Sequence, residues 1–390
     1  MIDIPEEKDK LAIVVVGYNK LNGLKRLLSS LDVAKYPNSN IPLVISVDAS
    51  GNKEVYSFVE EYRWKHGNKY VNIENERLGL KKHIFQCASL SKYFKGVIVL
   101  EDDLMVSPYF FEYSQRALDK YGDDNRIAGI ALYEWALNGF AGLPYSPVSK
   151  GSDVYACQAV CSWGEIWNYR MWTGFTSWLN SWDGSFDSID MLKRIKNWTR
   201  AWSKYYYAYL VQTNKFFIFP YQSLSTNFND AGGEHGGGNS SVVQVPLLQG
   251  QIDYQFGDFD DLVKYDVYAQ NLEISEWLGL KSDELTVDFF GLKEQYGERY
   301  VLAPFQLPYK RIRGFSLSMR PWELNIKYNI EGNDILLYDR ENSFVTIPPS
   351  RKFSSSYLMY FFGGFNVRLL IQFIFKYIWS YTKVKLQHFL

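Results

Sequence analysis

The sequence is short of the features that mark several classes of protein. It has 3 cysteines, Cys87, Cys157 and Cys161, an odd number with no metal-ligand pairing around them. A disulfide framework is thereby excluded, and a reducing, cytoplasmic setting is the simplest expectation. An excess of one charge is also missing: Lys+Arg 42 against Asp+Glu 43 leaves a formal net charge of -1. Nothing in that balance attracts nucleic acid or any other polyanion in bulk. The opening residues MIDIPEEKDK contain neither a basic n-region nor an apolar h-region, so no secretory signal is expected. The sequons at Asn197 and Asn239 are then chance matches. No internal repeat or low-complexity tract occurs.

What is abundant is aromatic. Trp 12, Tyr 30 and Phe 26 make up 17% of the 390 residues, an excess that suits sugar stacking or a membrane interface. Hydrophobic residues reach 47%, enough to build the core of one large domain or two ordinary ones.

From Leu11 onward, short apolar runs alternate with helix-like stretches. The runs are LAIVVVG, IPLVISVD, YVNIE, GVIVLEDD and RIAGIALY. Between them lie helical patterns over Leu21 to Leu31, Val55 to Trp64, Leu80 to Phe94 and Pro108 to Tyr121. This rhythm predicts an α/β fold with a mostly parallel sheet, helices on both faces. LAIVVVG and GVIVL are apolar almost throughout, as strands buried on both faces should be. Ligands of such sheets gather at the carboxyl ends of the strands. The polar residues closing these runs, Asn19, Asp48 and the trio Glu101, Asp102 and Asp103, share that edge.

Three adjacent acids at a strand end repel one another. They become tolerable where a divalent cation or bound hydroxyl groups use them, since a hard metal takes oxygen ligands and bridges to phosphates. The plainer reading is a solvated acidic loop that caps the following helix. Farther on, after about Tyr145, the texture turns Trp-, Tyr- and Gly-rich, as in substrate-binding loops on a rigid α/β base. It ends in the glycine loop DAGGEHGGG, Asp230 to Gly238. Glycines let backbone approach phosphate oxygens, and His235 is one of only 4 histidines, so this loop reads as a lid over a diphosphate or else as a mobile surface loop.

With VVVGYNK, LVISVDAS, NERLGLKKHIFQC and VLEDDLMVSPYFFEY in order, the sequence resembles glycosyltransferases of the GT-A (Rossmann-like) fold. The EDD form and its proline-aromatic sequel are similar to the Golgi N-acetylglucosaminyltransferase that initiates complex N-glycans, and to bacterial family 2 type transferases. The resemblance implies that Asp103 ligates a divalent metal, Mn2+ or Mg2+, on the donor diphosphate, with Asp102 and Glu101 facing the ribose and the donor sugar. It implies that Asp48 accepts from the N3–H of uridine, unless it caps a helix instead. Arg77, with Lys81 or Lys82, would lie near the phosphates or on a solvated helix face. Trp163 and Glu165, in VCSWGEIWNYRMWTGF, would lie nearest the donor sugar, although tryptophan clusters are also core. The chain departs from the pattern at AWSKYYYAYL, where the relatives carry their catalytic carboxylate in a Trp-Asp-Asp-like sequence. Ser203 and Lys204 cannot replace it, so Asp230 and then Asp183 stand as candidate bases.

The expected organisation is a transferase domain over residues 1–241, with a nucleotide-sugar half at 10–122 and an acceptor-side half at 123–241. An extension of unknown role at 242–353 and an amphipathic helix at 354–390 follow. Strand-like pieces ILLYD and SFVTI fall in the extension. No acid follows Glu341, and Arg368, Gln372, Lys376, Ser380, Lys383 and Gln387 form one narrow polar stripe among apolar residues. Such a charged stripe breaks the rule for a spanning helix and suits one lying in the plane of an anionic inner leaflet, or else a helix packed in the core.

The expected function is metal-dependent, inverting transfer of a sugar from a UDP-sugar to a glycan or lipid-linked oligosaccharide in bacterial surface polysaccharide synthesis. The enzyme would be cytoplasmic and peripheral on the inner membrane, with no nucleic-acid partner. The alternatives are a sugar-1-phosphate nucleotidylyltransferase, which should carry a Gly-rich, Arg-containing signature where GYNKLNGLKR stands, and a non-catalytic glycan-binding protein.

Overall fold

The run Leu11 to Val16 is buried at every position because it lies inside a nine-stranded sheet. The computed structural model describes residues 4–230, 243–341, 353–364 and 366–387. It divides into two units, Met1–Glu273 and Ile274–Leu390.

In the first unit the sequence rhythm becomes β1 (Glu7–Gly17), α1 (Leu21–Asp32), β2 (Leu43–Val47), α2 (Lys53–Glu61), β3 (Lys69–Ile73), α3 (Leu80–Ala88) and β4 (Phe94–Glu101). After β4 come a short β5 (Leu104–Val106), α4 (Phe110–Tyr121) and β6 (Ile127–Ala131). The five apolar runs are thus five strands and the four helical patterns four helices. Two helices stop early: α2 ends before Trp64, and α3 passes at Ser89 into a 3-10 turn. Strands β4, β1, β2 and β3 run parallel in that order. Leu24, Leu27, Leu28 and Leu31 form the buried stripe of α1. Each such leucine is worth about 1.5–3 kcal/mol on burial.

The second half of this unit was not legible as elements. It holds a small hairpin, β7 (Leu137–Asn138) with β8 (Leu143–Pro144), then β9 (Val154–Cys157), β10 (Glu165–Trp167), α5 (Tyr169–Ser181), α6 (Lys193–Lys196) and α7 (Ser203–Gln212). Strands β11 (Phe216–Pro220), β12 (Ser225–Asn227) and β13 (Lys264–Tyr265) complete it. The sheet order is β13-β9-β11-β6-β10-β4-β1-β2-β3. β10 is wedged antiparallel between β4 and β6, so its first residue lies at the edge where those strands end. The tryptophans here pack largely into the core: Trp167 contacts Trp172, Trp202, Tyr206 and Phe217.

The second unit opens with α8 (Ile274–Leu278) and is built on a four-stranded sheet of order β14-β15-β17-β16. Its strands are β14 (Leu285–Val287), β15 (Tyr300–Ala303), β16 (Lys310–Phe315) and β17 (Ile335–Asp339), with α9 (Glu323–Lys327) between the last two. Val301, Ala303, Phe305, Leu307, Leu336 and Tyr338 form its core. The run ILLYD is β17, while SFVTI lies outside the described residues. Two helices follow, α10 (Ser355–Phe362) and α11 (Val367–Gln387). Among the described residues no single helix is long and apolar enough to cross a membrane.

Candidate functional site

The acid trio is held by two strands that meet at it. β4 ends at Glu101 and β5 starts at Leu104, so Asp102 and Asp103 make the turn between them. β5 pairs antiparallel with β12, setting Leu104 opposite Asn227. That register brings Asn227 to the turn, where Nδ2 donates to Asp103 Oδ1 at 3.3 Å. Phe228 N donates to the Asp103 carbonyl at 3.0 Å, and the chain arrives at Asp230 two residues later.

The end of β1 and the start of α1 close the other side. Tyr18 N donates to Asp102 Oδ2 at 3.1 Å. Lys20 Nζ stands 3.1 Å from Asp103 Oδ2 and 3.9 Å from Asp102 Oδ1. Arg26 donates both terminal nitrogens to the Asp230 carboxylate and one of them also to the Asp103 carbonyl at 3.2 Å. Its guanidinium lies 3.8 Å from the Phe228 ring centre, a cation–π contact. Gly23 permits this approach, since a Cβ there would stand 2.5 Å from the Asp102 carbonyl oxygen.

Three carboxylates and two protein cations therefore share one partly buried turn. Burial pushes the Asp102 carboxyl up to about 6; Lys20 and the Tyr18 N–H oppose the rise, while Asp103 and Asp230 add to it. Burial works against the charge on Lys20, but Asp103, Asp102 and Glu101 outweigh it and hold the ammonium above its ordinary pKa.

Glu165 begins β10 opposite Val99 of β4 and Ala131 of β6. It is 0% exposed, and neither carboxyl oxygen accepts a hydrogen bond of ordinary geometry. Burial, reinforced by Glu101, pushes its carboxyl well above the usual range, the nearby Gly164 and Glu165 N–H groups only moderating the rise. The neutral acid is favoured there. Trp163 is half-buried, edge-on to Tyr133 with ring centres 4.7 Å apart.

Asp48 is buried and its carboxylate is engaged by backbone: Oδ1 accepts from Ala49 N at 2.9 Å and Leu78 N at 2.7 Å, Oδ2 from Gly79 N at 2.9 Å. The capping role is not realised: Asn52 caps α2, α3 has no side-chain cap, and the amides that Asp48 accepts from belong to the loop before α3, where Gly79 has φ +75°. Asn19 is exposed, its carbonyl 3.5 Å from Asn52 Nδ2. Arg77 is exposed with its guanidinium 5.1 Å over the Tyr18 ring, which sets it beside the residue that bonds Asp102. Lys81 Nζ lies 3.6 Å over the ring of Tyr205 in α7. Asp183 sits on an exposed turn after α5, where Oδ1 accepts from Ser185 N. His235 and the rest of the glycine loop lie outside the described residues. The structure thus gathers Glu101, Asp102, Asp103, Asp230 and Glu165 at one edge and leaves Asp183 on a different element.

The sequence reading missed four residues. Lys20, Arg26 and Asn227 carry no motif of their own, and only the fold brings them to the acids. Glu134 did carry a signal, since it closes the run RIAGIALY as Asp48 and Glu101 close theirs. It is half-buried, its N donates to Ser223 Oγ at 3.0 Å, and burial pushes its carboxyl up to about 7.

Among the described residues no three His, Cys, Asp or Glu side chains converge as a complete metal-ligand set. A hard divalent ion on a nucleotide takes one or two carboxylates and fills its shell with phosphate oxygens and water. Asp102 and Asp103 fit that mode.

No family model matches the sequence, and no curated protein matches it. Among solved structures the chain is similar to S. aureus TarS 1-349 in complex with UDP-GlcNAc, at 14% identity and a TM-score of 0.39, over 59% of this chain and 62% of that one. It is also similar to GalNAc-T7 with UDP, GalNAc and Mn2+, at 13% identity and a TM-score of 0.37, over 55% of this chain and 43% of that one. A mannosyltransferase from Pyrobaculum calidifontis in complex with GDP-Man and Mn2+ matches at 11% identity and a TM-score of 0.30, over 43% of this chain and 47% of that one. In each case the match spans less than two thirds of the other chain.

Proposed function

We propose that the first unit is a GT-A type glycosyltransferase, taking a sugar from a UDP-sugar with inversion. The acceptor is a growing glycan or a lipid-linked oligosaccharide of bacterial surface polysaccharide synthesis. The observation that carries this reading is the acid turn at the carboxyl end of β4, closed by α1 and β12 and lined by Lys20 and Arg26. A divalent ion bound by Asp103, with Asp102 beside it, would neutralise the leaving diphosphate. Asp48 has backbone amides on both oxygens and free lone pairs for a base N–H, and Arg77 lies close enough to Tyr18 to serve a phosphate.

For the proton of the acceptor hydroxyl, the acids differ. Asp230 has both oxygens already engaged by the Arg26 guanidinium. A general base works best with a pKa near the operating pH, and Glu134, two strands from Asp103 on the same edge, meets that condition. We assign it the role that Asp230 and Asp183 were expected to fill.

The tail supports attachment to an anionic inner leaflet. Val367, Leu369, Phe373 and Phe375 of α11 are 61–71% exposed, more apolar surface than a helix keeps in water, and the stripe of Arg368, Gln372 and Lys376 suits the headgroup level. Calorimetric titration of the full chain with UDP-sugars and GDP-mannose, with and without Mn2+, tests the main reading. Binding of a UDP-sugar that requires the ion is expected, and no binding to any nucleotide sugar would refute it.

A further inference from the structure

The geometry points to Lys20 as an exchangeable counter-ion. It holds the cation position of the acid turn when no divalent ion is bound, and moves to the donor's diphosphate when one arrives. The diphosphate half of this inference rests on the transferase reading above.

Three observations carry it. Lys20 Nζ lies 3.1 Å from Asp103 Oδ2 and 3.9 Å from Asp102 Oδ1, on the very oxygens that a divalent ion would need. The other oxygens are otherwise engaged, Asp103 Oδ1 by Asn227 and Asp102 Oδ2 by Tyr18 N. An incoming ion therefore meets the ammonium first. Second, Lys20 sits between the end of β1 and the start of α1 at Leu21, and its ammonium is a point charge on a four-carbon stem with several rotatable bonds, held among the described residues by no stacking partner of the kind that fixes a guanidinium. Arg26 is different: its fork is fixed by Asp230, the Asp103 carbonyl and the Phe228 ring. Third, the charges require an exchange. Two like charges cannot both stay within about 4 Å of the same carboxylates without strong repulsion, so binding the ion expels the ammonium. The nearest new anion is the diphosphate that the ion itself brings.

The test is a pair of titrations on the full chain. Mn2+ is titrated alone, followed by paramagnetic resonance of the free ion, and UDP is titrated at saturating Mn2+, followed by calorimetry. For Lys20→Met, Mn2+ binding is expected to tighten by about tenfold, because a competing cation has been removed. UDP binding should weaken by about tenfold, because a phosphate contact has been lost. Lys20→Arg keeps the charge and should stay near the unmodified chain in the Mn2+ titration. Lys20→Gln serves as a second neutral variant should the methionine form fail to fold.

A purely structural lysine would shift both affinities in the same direction, and that result overturns the exchange. Unchanged Mn2+ affinity in both neutral variants overturns it as well. So does UDP binding that depends on Lys20 but not on Mn2+, which would make the lysine a permanent counter-ion. If the unmodified chain binds neither Mn2+ nor UDP, the transferase reading fails and this inference with it.

Discussion

Gly23 and the Asp102 carbonyl are so close that no other residue fits: a Cβ at position 23 would meet that oxygen at 2.5 Å and Asp230 Oδ2 at 3.1 Å. Helix α1 is pressed onto the acid turn at this point, and the contact fixes where Lys20 and Arg26 can reach.

The first prediction reverses a familiar sign. Gly→Ala inside a helix ordinarily stabilises by roughly 0.5–1 kcal/mol. At Gly23 the added methyl meets backbone rather than a movable side chain, and overpacking costs about 1–3 kcal/mol. Gly23→Ala is expected to lower the melting temperature, and a rise would show that α1 stands off the turn.

Asp103→Ala should abolish Mn2+-dependent donor binding while costing about 1–3 kcal/mol of stability, since Lys20 and Asn227 lose a partly buried partner. Calorimetry with a UDP-sugar and a thermal melt together check this. Retained metal dependence would move the site elsewhere.

Glu134 gives the pH prediction. A base must be deprotonated to act, so turnover should rise with pH through about 7, and Glu134→Gln should remove that limb and lower kcat about 100- to 10,000-fold. Asp230→Asn should keep the limb. A limb that survives in Glu134→Gln and vanishes in Asp230→Asn would return the base role to Asp230.

Stability supplies a check that needs no substrate. Burial raises the Glu134 carboxyl from 4.5 to about 7 in the folded chain. The folded form therefore binds more protons than the unfolded one in that window, and stability falls as pH rises through it. Chemical denaturation at pH 5 and pH 8 should show a smaller loss in Glu134→Gln than in the unmodified chain. An equal loss would assign the pH dependence to other groups.

Deleting Phe365 to Leu390 should abolish flotation with anionic vesicles and leave Mn2+-dependent donor binding unchanged. The described side chains of α11 are almost all exposed, so their removal takes little from the core. Salt should weaken attachment of the full chain only in part. Arg368, Lys376, Lys383 and Lys385 each add about 1 kcal/mol near an anionic surface, whereas the apolar term does not respond to salt. A truncated chain that unfolds, or still floats, would refute the membrane role.

Five strands and four helices of the first 131 residues, and the place of the acid trio, could be read from the residues alone, whereas the short β5 and the early ends of α2 and α3 could not. Runs such as LAIVVVG and GVIVLE report burial on both faces directly, because a parallel strand covered on both faces reads as a near-continuous apolar run. Asp48, Glu101, Asp102 and Asp103 were therefore legible as edge residues. What the acids touch was decided only by tertiary structure. Asn227 reaches Asp103 through the β5–β12 register across 124 residues, and Arg26 reaches Asp230 across 204. Lys20 and Arg26 look in sequence like any solvated lysine and arginine, since a cation's partner is set by chain crossings that leave no local pattern. The wedging of β10 between β4 and β6 is of the same kind. It buries Glu165 with no hydrogen bond of ordinary geometry to its carboxyl, and no periodicity in VCSWGEIW records which strands will flank it.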